Sequence, residues 1–372
     1  NKVLLMPIGD MEGITPGARV VATGERMTVK VGEELLGHIL DGLGRPIGEE
    51  VAPMPGLVEM PLKAEPPDPL SRRRITQPLA LGIRSIDGLL TCGRGQRIGI
   101  FAGSGVGKST LMGMAARNTE ADINVIGLVG ERGREVRDFI ERDLGEEALK
   151  RSVVVVATSD KPALVRVKAA LVTTAIAEYF REKGYDVLLM MDSITRVAMA
   201  LREVGLATGE PPTTRGYPPS VFAELPKLLE RTGTSDRGSI TALYTVLVEG
   251  DDFNEPVSDT VRGILDGHIV LSRELASRNH YPAIDVLASV SRVMPEVTDL
   301  THQEAAGEIK KLLSEYRQAE DLINIGAYQP GSNPVVDRAI SKIELINDFL
   351  QQGINEKAEY KDTVSSLIEI AR

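Results

Sequence analysis

Lys108 and Ser109 close a glycine-rich run, Ala102-Gly103-Ser104-Gly105-Val106-Gly107-Lys108-Ser109-Thr110. The run follows the apolar stretch Arg97–Phe101 and leads into a helical stretch, Thr110–Ala116. That is the strand–loop–helix setting of the phosphate-cradling pattern G-x-x-x-x-G-K-[ST], with Ala102 in place of its first glycine. Gly103, Gly105 and Gly107 allow successive backbone N–H groups to converge on an anion. The helix N-terminus adds partial positive charge. In this reading Gly103 to Thr110 wrap the phosphates of ATP, Lys108 reaches the β- and γ-phosphates, and the Ser109 hydroxyl ligates Mg²⁺.

Such a loop needs carboxylates. Asp192 ends the apolar run Val187–Met191, and a strand-terminal Asp beside the phosphate-loop strand is placed to hold Mg²⁺, directly or through water. Hydrolysis also needs a group that orients or deprotonates water. Glu131 closes the run Leu128-Val129-Gly130-Glu131, and a carboxylate at a strand's C-terminal end faces the ligand crevice of an open α/β sheet. With 53 acidic residues in the chain, position alone leaves Glu131 open between that role and a solvated carboxylate.

The elements that must position these groups alternate between residues 95 and 300. Strands are expected at Arg97–Ala102, Asn124–Val129, Val153–Ala157, Val187–Met191, Ile240–Leu247 and His268–Leu271, with a helix over Pro162–Glu182. Unbroken apolar runs fit strands buried on both faces, so the pattern predicts an α/β domain with a mostly parallel sheet. Upstream, Val3–Leu5 and Arg19–Val21 read as short strands around Thr15-Pro16-Gly17. Residues 42–78, rich in Pro and Gly, read as a long surface connection. Downstream, a helix is expected from a capping box at Thr301-x-x-Glu304. A second is expected from Asn333-Pro334 to a stop near Gly353, and a third over Ala358–Ala371. The expected division is 1–30, a remnant of an N-terminal β-domain; 31–300, the ATPase domain; and 301–372, a helical domain.

Composition bounds the partners. Of 372 residues, 43 are Lys or Arg and 53 Asp or Glu, a formal charge of −10. That balance argues against a nucleic-acid partner, because phosphate backbones select basic surfaces. The single cysteine, Cys92, allows no intrachain disulfide, which fits a reducing compartment. No apolar run approaches the ~18 residues a membrane span needs. A start at Asn1 without Met or a signal-peptide pattern reads as a trimmed N-terminus.

Several segments together resemble one family. Gly130-Glu131-Arg132-Gly133-Arg134-Glu135 is similar to the segment that carries the catalytic glutamate in ATP synthase-type hexameric ATPases. Pro282-Ala283-Ile284-Asp285-Val286-Leu287-Ala288-Ser289-Val290-Ser291 is similar to the signature decapeptide of their α/β subunits. Gly216–Ala223, Glu249-Gly250-Asp251-Asp252 and Leu350-Gln351-Gln352-Gly353 look most like the type III secretion ATPases, especially the flagellar export branch. Gly326–Ser332 replaces the acidic loop of the rotary β subunit.

The resemblance covers nearly the whole chain. It implies a RecA-like P-loop ATPase core, ATP and Mg²⁺ as cofactors, and Glu131 as the residue that polarises water. Arg132 and Arg196 would lie near the γ-phosphate. Arg292 would be an arginine finger reaching a neighbouring subunit's nucleotide, and Tyr281 would stack on adenine. Ile354 and Tyr360 fall where relatives place further aromatic contacts, and Asp251 and Asp252 in a loop that faces the central shaft. It further implies a cytoplasmic homohexamer, peripheral at the inner face of the cell membrane. Its expected partners are a stalk, a regulatory subunit, the export gate and chaperone–substrate complexes. The alternatives are a virulence-type secretion ATPase, a catalytic subunit of a rotary or vacuolar-type ATPase, a ring-shaped RNA translocase, and a non-catalytic nucleotide-binding subunit.

Overall fold

The computed structural model of the chain describes residues 5–9, 12–48, 54–248, 250 and 252–372. The runs Val153–Ala157 and Val187–Met191, apolar at every position, become inner strands of one large sheet. From edge to edge the sheet runs Val290–Ser291, Gly267–Leu271, Arg97–Ala102, Ser239–Leu247, Asp186–Asp192, Ile123–Val129, Ser152–Ala157 and Ile39–Asp41. All neighbours are parallel except Val290–Ser291, which runs against Gly267–Leu271. Gly233–Thr234 adds a short antiparallel pairing to Ser239–Leu247.

Side chains of these strands divide with a period of two, as a pleated strand requires. Ile98, Ile100, Ile126, Leu128, Leu188 and Met190 enter one core with helix Lys108–Asn118 and the C-terminal helices. Phe101, Val125, Val155, Leu189, Met191 and Tyr244 enter the other, under helices Ala163–Glu182 and Ile194–Ala207. Burial on both faces is why the strands read as continuous apolar runs. All six expected strands form, each within one residue of its expected bounds.

Several expectations change. Arg19–Val21 forms no strand, and Val20 and Val21 are exposed; without a paired neighbour their backbone has no ladder to join. Val3 and Leu4 lie outside the described residues. The Pro-rich connection contains Val58–Pro61, which pairs antiparallel with Thr28–Val31, so this small sheet straddles residue 30. Ile39–Asp41 lies beside Ser152–Ala157 as an edge strand, a pairing too short to carry a sequence signal.

The helix expected at Thr301 spans Leu300–Asn324, and its N-cap is Asp299, which accepts from the His302 N–H at 2.8 Å. A carboxylate two residues earlier replaces the capping box. Asn333 does cap Pro334–Leu350, accepting from Val335 N–H at 3.0 Å. That helix stops at Leu350, three residues before Gly353, because Gln351 turns extended. Tyr360–Ala371 closes the chain. Among the described residues no helix is long and apolar enough to cross a membrane.

Candidate active site

The phosphate loop joins strand Arg97–Ala102 to helix Lys108–Asn118, and its conformation accounts for the residue pattern. Gly105 and Gly107 take positive φ, +78° and +93°, a region costly for side-chain-bearing residues. Ala102 is the buried last residue of the strand. The conformational demand therefore falls on glycines that are present, and the missing first glycine is not needed.

Two carboxylates converge on the loop from strands across the sheet. Asp192 is not beside the phosphate-loop strand, as the sequence reading had it: Ser239–Leu247 lies between them. That intervening strand supplies Thr245, whose hydroxyl donates to Asp192 Oδ1 at 2.7 Å. Lys108 Nζ donates to the same oxygen at 2.5 Å and to Glu131 Oε1 at 3.4 Å. Glu131 extends from strand Ile123–Val129, which neighbours that of Asp192.

Burial and the adjacent Asp192 charge push the Glu131 carboxyl up to about 7, against the pull of Lys108, with a bond from Glu135 acting in the same upward direction. Two carboxylates sharing one ammonium cannot both be ionised cheaply in a buried setting. For Lys108, burial alone lowers the pKa, but Asp192 and Glu131 together carry it above the ordinary value.

The cleft that Lys108 and Glu131 line, about 730 Å³, also takes in Arg132, Arg196 and Arg273. Arg196 follows the helix cap Ser193, whose hydroxyl accepts from the Arg196 N–H at 3.3 Å. Gly130 makes room for it: a Cβ there would stand 2.7 Å from Arg196 Cβ, and its φ is +75°. Arg196 Nε is buried without a hydrogen-bond partner among the described residues, which suits a group aimed at an anion. Arg132, with a side chain 82% exposed and 3.7 Å from Glu135 Oε1, sits at the rim.

A second cleft of about 310 Å³ adjoins the loop and is lined by Thr110, Leu111, Met114, Tyr281, Gln352 and Ile354. Tyr281 presents its ring 3.6 Å from where a Cβ on Gly107 would stand. Its apolar walls and aromatic face suit a base. Tyr360 is elsewhere, edge-on to His302 with ring centres 6.2 Å apart.

Arg292 is not in its own chain's cleft. It follows the edge strand Val290–Ser291, and its N–H donates to Asp266 O at 3.0 Å, before the start of strand Gly267–Leu271. At about 3.3 Å per residue that strand separates it from the phosphate-loop end of the sheet by on the order of 13 Å. Asp251 lies outside the described residues; Asp252 pairs with Arg215 at 2.8 Å.

Sequence reasoning missed Thr245, Arg273 and Gln352. The Gln352 N–H donates to Tyr281 O at 2.9 Å. Its side chain donates to Gly82 O and Glu356 O, both at 2.8 Å, and accepts from Arg84 N–H at 2.8 Å. It thereby ties the base cleft to the helical segment. None of the three carries a local signal, because each acts through residues far away in the chain.

A phosphate loop backed by strand-end carboxylates on a parallel sheet, with an aromatic-walled base cleft beside it, defines a P-loop ATPase. Residues 82–291 match the ATP synthase alpha/beta family, nucleotide-binding domain, and residues 298–369 match the T3SS EscN ATPase C-terminal domain. The chain is 59% identical to a flagellum-specific ATP synthase of Bacillus subtilis, over 100% of this chain and 84% of that protein. It is 55% identical to a type 3 secretion system ATPase of Xanthomonas euvesicatoria, over 99% and 83%. Its fold matches that of the assembled EscN ATPase solved with its central stalk EscO from enteropathogenic E. coli. The TM-score is 0.93 at 53% identity, covering 99% of this chain and 89% of that one. The chain belongs to the ATP synthase alpha/beta family, in its branch of flagellum-specific and type III secretion ATPases, and is an ATP hydrolase.

Proposed function

We propose that this chain hydrolyses ATP with Glu131 orienting water, to assist protein export through a flagellar type III secretion apparatus. The observation that carries the chemistry is the convergence of Lys108, Asp192 and Glu131 at the mouth of the phosphate loop. Phosphoryl transfer to water asks for positioning and charge stabilisation rather than covalent help. The loop N–H groups and Lys108 bind the β- and γ-phosphates, and Arg196 faces the γ-phosphate. Glu131, as carboxylate, accepts a hydrogen bond from the attacking water. Tyr281 stacks on the base.

The donor set fits Mg²⁺. Among the described residues there is no cluster of three or more His, Cys, Asp or Glu, and Mg²⁺ is ordinarily held by one or two protein oxygens plus phosphate and water. Ser109 Oγ and a carboxylate oxygen of Asp192 are those oxygens. Bound there, the ion supplies Lewis-acid neutralisation of the phosphate oxygens.

Arg292, remote from its own cleft, serves the neighbouring subunit's nucleotide. An arginine finger is worth about 10³–10⁵ in rate. One chain carrying both Glu131 and Arg292 closes a homohexameric ring of identical heterologous interfaces. In this reading residues 301–372 are the helical domain that moves on the ATPase domain, residues 31–300, while residues 1–30 belong to an N-terminal β-domain. A stalk protein, as in the EscN–EscO complex, is the partner inside the ring. Regulatory, gate and chaperone partners act at the cytoplasmic face of the membrane.

The test is phosphate release by the purified protein. Glu131→Gln is expected to keep ATP binding and lose turnover by at least about 10²-fold. Substantial hydrolysis by a clean preparation of that variant removes Glu131 from the role.

A further inference from the structure

Among the described residues, charge accounting in the phosphate cleft leaves one cation without an assignment. Lys108 is held by Asp192 and Glu131, and Arg132 stands beside Glu135. Arg196 and Arg273 line the same cleft, and neither has an acidic partner among the described residues. Arg196 belongs to the flank that carries Asp192 and Glu131. Arg273 comes from the other flank. It follows strand Gly267–Leu271, which borders the phosphate-loop strand on the side away from Ser239–Leu247.

Its local position does not account for it. Arg273 is the first residue of a five-residue helix, Arg273–Ser277. A cation in a first turn faces the partial positive end of the helix, an unfavourable place by a few tenths of a kcal/mol or more. Nearby, Arg278 pairs with Glu274 and Glu320, each at 2.8 Å, while Arg273 is exposed, on the cleft wall and without an ion pair among the described residues. A residue that breaks a local rule without a local partner marks a functional demand. A magnesium–triphosphate supplies that demand, since the metal cancels only part of its charge and the remainder lies along the loop between the two flanks.

We infer that Arg273 is a further nucleotide-binding residue, whose guanidinium engages the phosphates from the flank opposite Asp192 and Glu131. This rests on the phosphate loop being the ATP site. A partly exposed guanidinium on phosphate adds affinity rather than chemistry, so its removal acts on nucleotide binding and KM more than on kcat.

The experiment is equilibrium binding of a fluorescent ADP analogue with Mg²⁺ to the whole chain, at low and high ionic strength, with steady-state ATPase kinetics alongside. Arg273→Gln is expected to raise Kd and KM about three- to tenfold at low salt, with a shallower salt dependence than wild type. The melting temperature and kcat should stay near wild type, and Arg273→Lys should recover part of the loss. Lys108→Ala serves as the control that cripples binding. Arg273→Gln within twofold of wild type at both salts, with Lys108→Ala crippled, overturns the assignment of Arg273 alone. Wild-type binding by Lys108→Ala overturns the site reading and this inference with it. Loss of kcat at unchanged Kd also overturns it.

Discussion

Lys108 Nζ and Asp192 Oδ1 stand 2.5 Å apart, with Thr245 Oγ1 on the same oxygen at 2.7 Å. One carboxylate oxygen thus receives the phosphate-loop cation and a strand hydroxyl together, which fixes the rotation of the carboxylate. The contact joins two residues 84 positions apart through three parallel strands.

Thr245 is therefore expected to tune the metal without touching it. Thr245→Val keeps the shape and removes the donor, and outer-shell partners of metal sites are typically worth about 10–100-fold in affinity. A Mg²⁺ titration of ATPase activity should show a midpoint raised about tenfold, with Thr245→Ser close to wild type. An unchanged midpoint in the Val variant would remove the orienting role.

The raised Glu131 carboxyl predicts opposite pH trends for activity and stability. Water orientation needs the carboxylate, so log kcat/KM should rise with pH through about 7. That apparent value belongs to the Lys108–Asp192–Glu131 group, not to one residue. For folding, a carboxyl raised above its ordinary 4.5 binds its proton more tightly in the native state. The associated stability is present below about pH 4.5 and is lost as pH rises through about 7. Chemical denaturation from pH 5 to 8 should show less pH dependence in Glu131→Gln. Equal slopes in both proteins would contradict the assignment.

Arg292 and Glu131 should complement each other between chains. Arg292→Ala and Glu131→Gln are each expected to be nearly inactive. Mixing them creates interfaces in which one chain supplies Glu131 and its neighbour Arg292, so activity should return. A mixture no faster than its better parent, at concentrations where light scattering reports assembly, argues for action within one chain.

Gln352 should couple stability to nucleotide binding. Replacement by Ala leaves the Arg84 N–H without its partner and removes one of the donors on Gly82 O and Glu356 O, which keep the Asn118 amide at 3.5 and 3.2 Å, a loss of about 1–3 kcal/mol. The urea midpoint should fall and KM for ATP rise together, whereas Tyr281→Ala should raise KM with little change in the midpoint. A Gln352→Ala midpoint equal to wild type would show that the clamp is not built through this side chain.

Glu178 and Arg231 make a buried bidentate pair, at 2.8 and 2.6 Å, and Arg231 also donates to Leu62 O at 2.8 Å. Glu178→Gln leaves a buried guanidinium without its counter-charge and should cost about 3–5 kcal/mol. Thermal denaturation would read this directly, and a shift within a degree of wild type would contradict it.

The sequence by itself determined what is local. A P-loop is a contiguous run whose glycines answer a backbone requirement, and strands buried on both faces announce themselves as unbroken apolar stretches; both were legible. So was the strand-end position of Asp192 and Glu131, because a sheet's C-terminal edge follows from chain direction alone. Tertiary structure decided what depends on which strands lie side by side. Thr245 holds Asp192 only because Ser239–Leu247 inserts between two strands that come earlier in the chain. Asp299 rather than Thr301 caps its helix because the chain enters the helix two residues earlier. Gln352 reaches Tyr281, and Arg273 lines the same cleft as Lys108, through packing between segments that share no pattern. Hydrophobic periodicity specifies which face of an element is buried, but not which neighbour buries it.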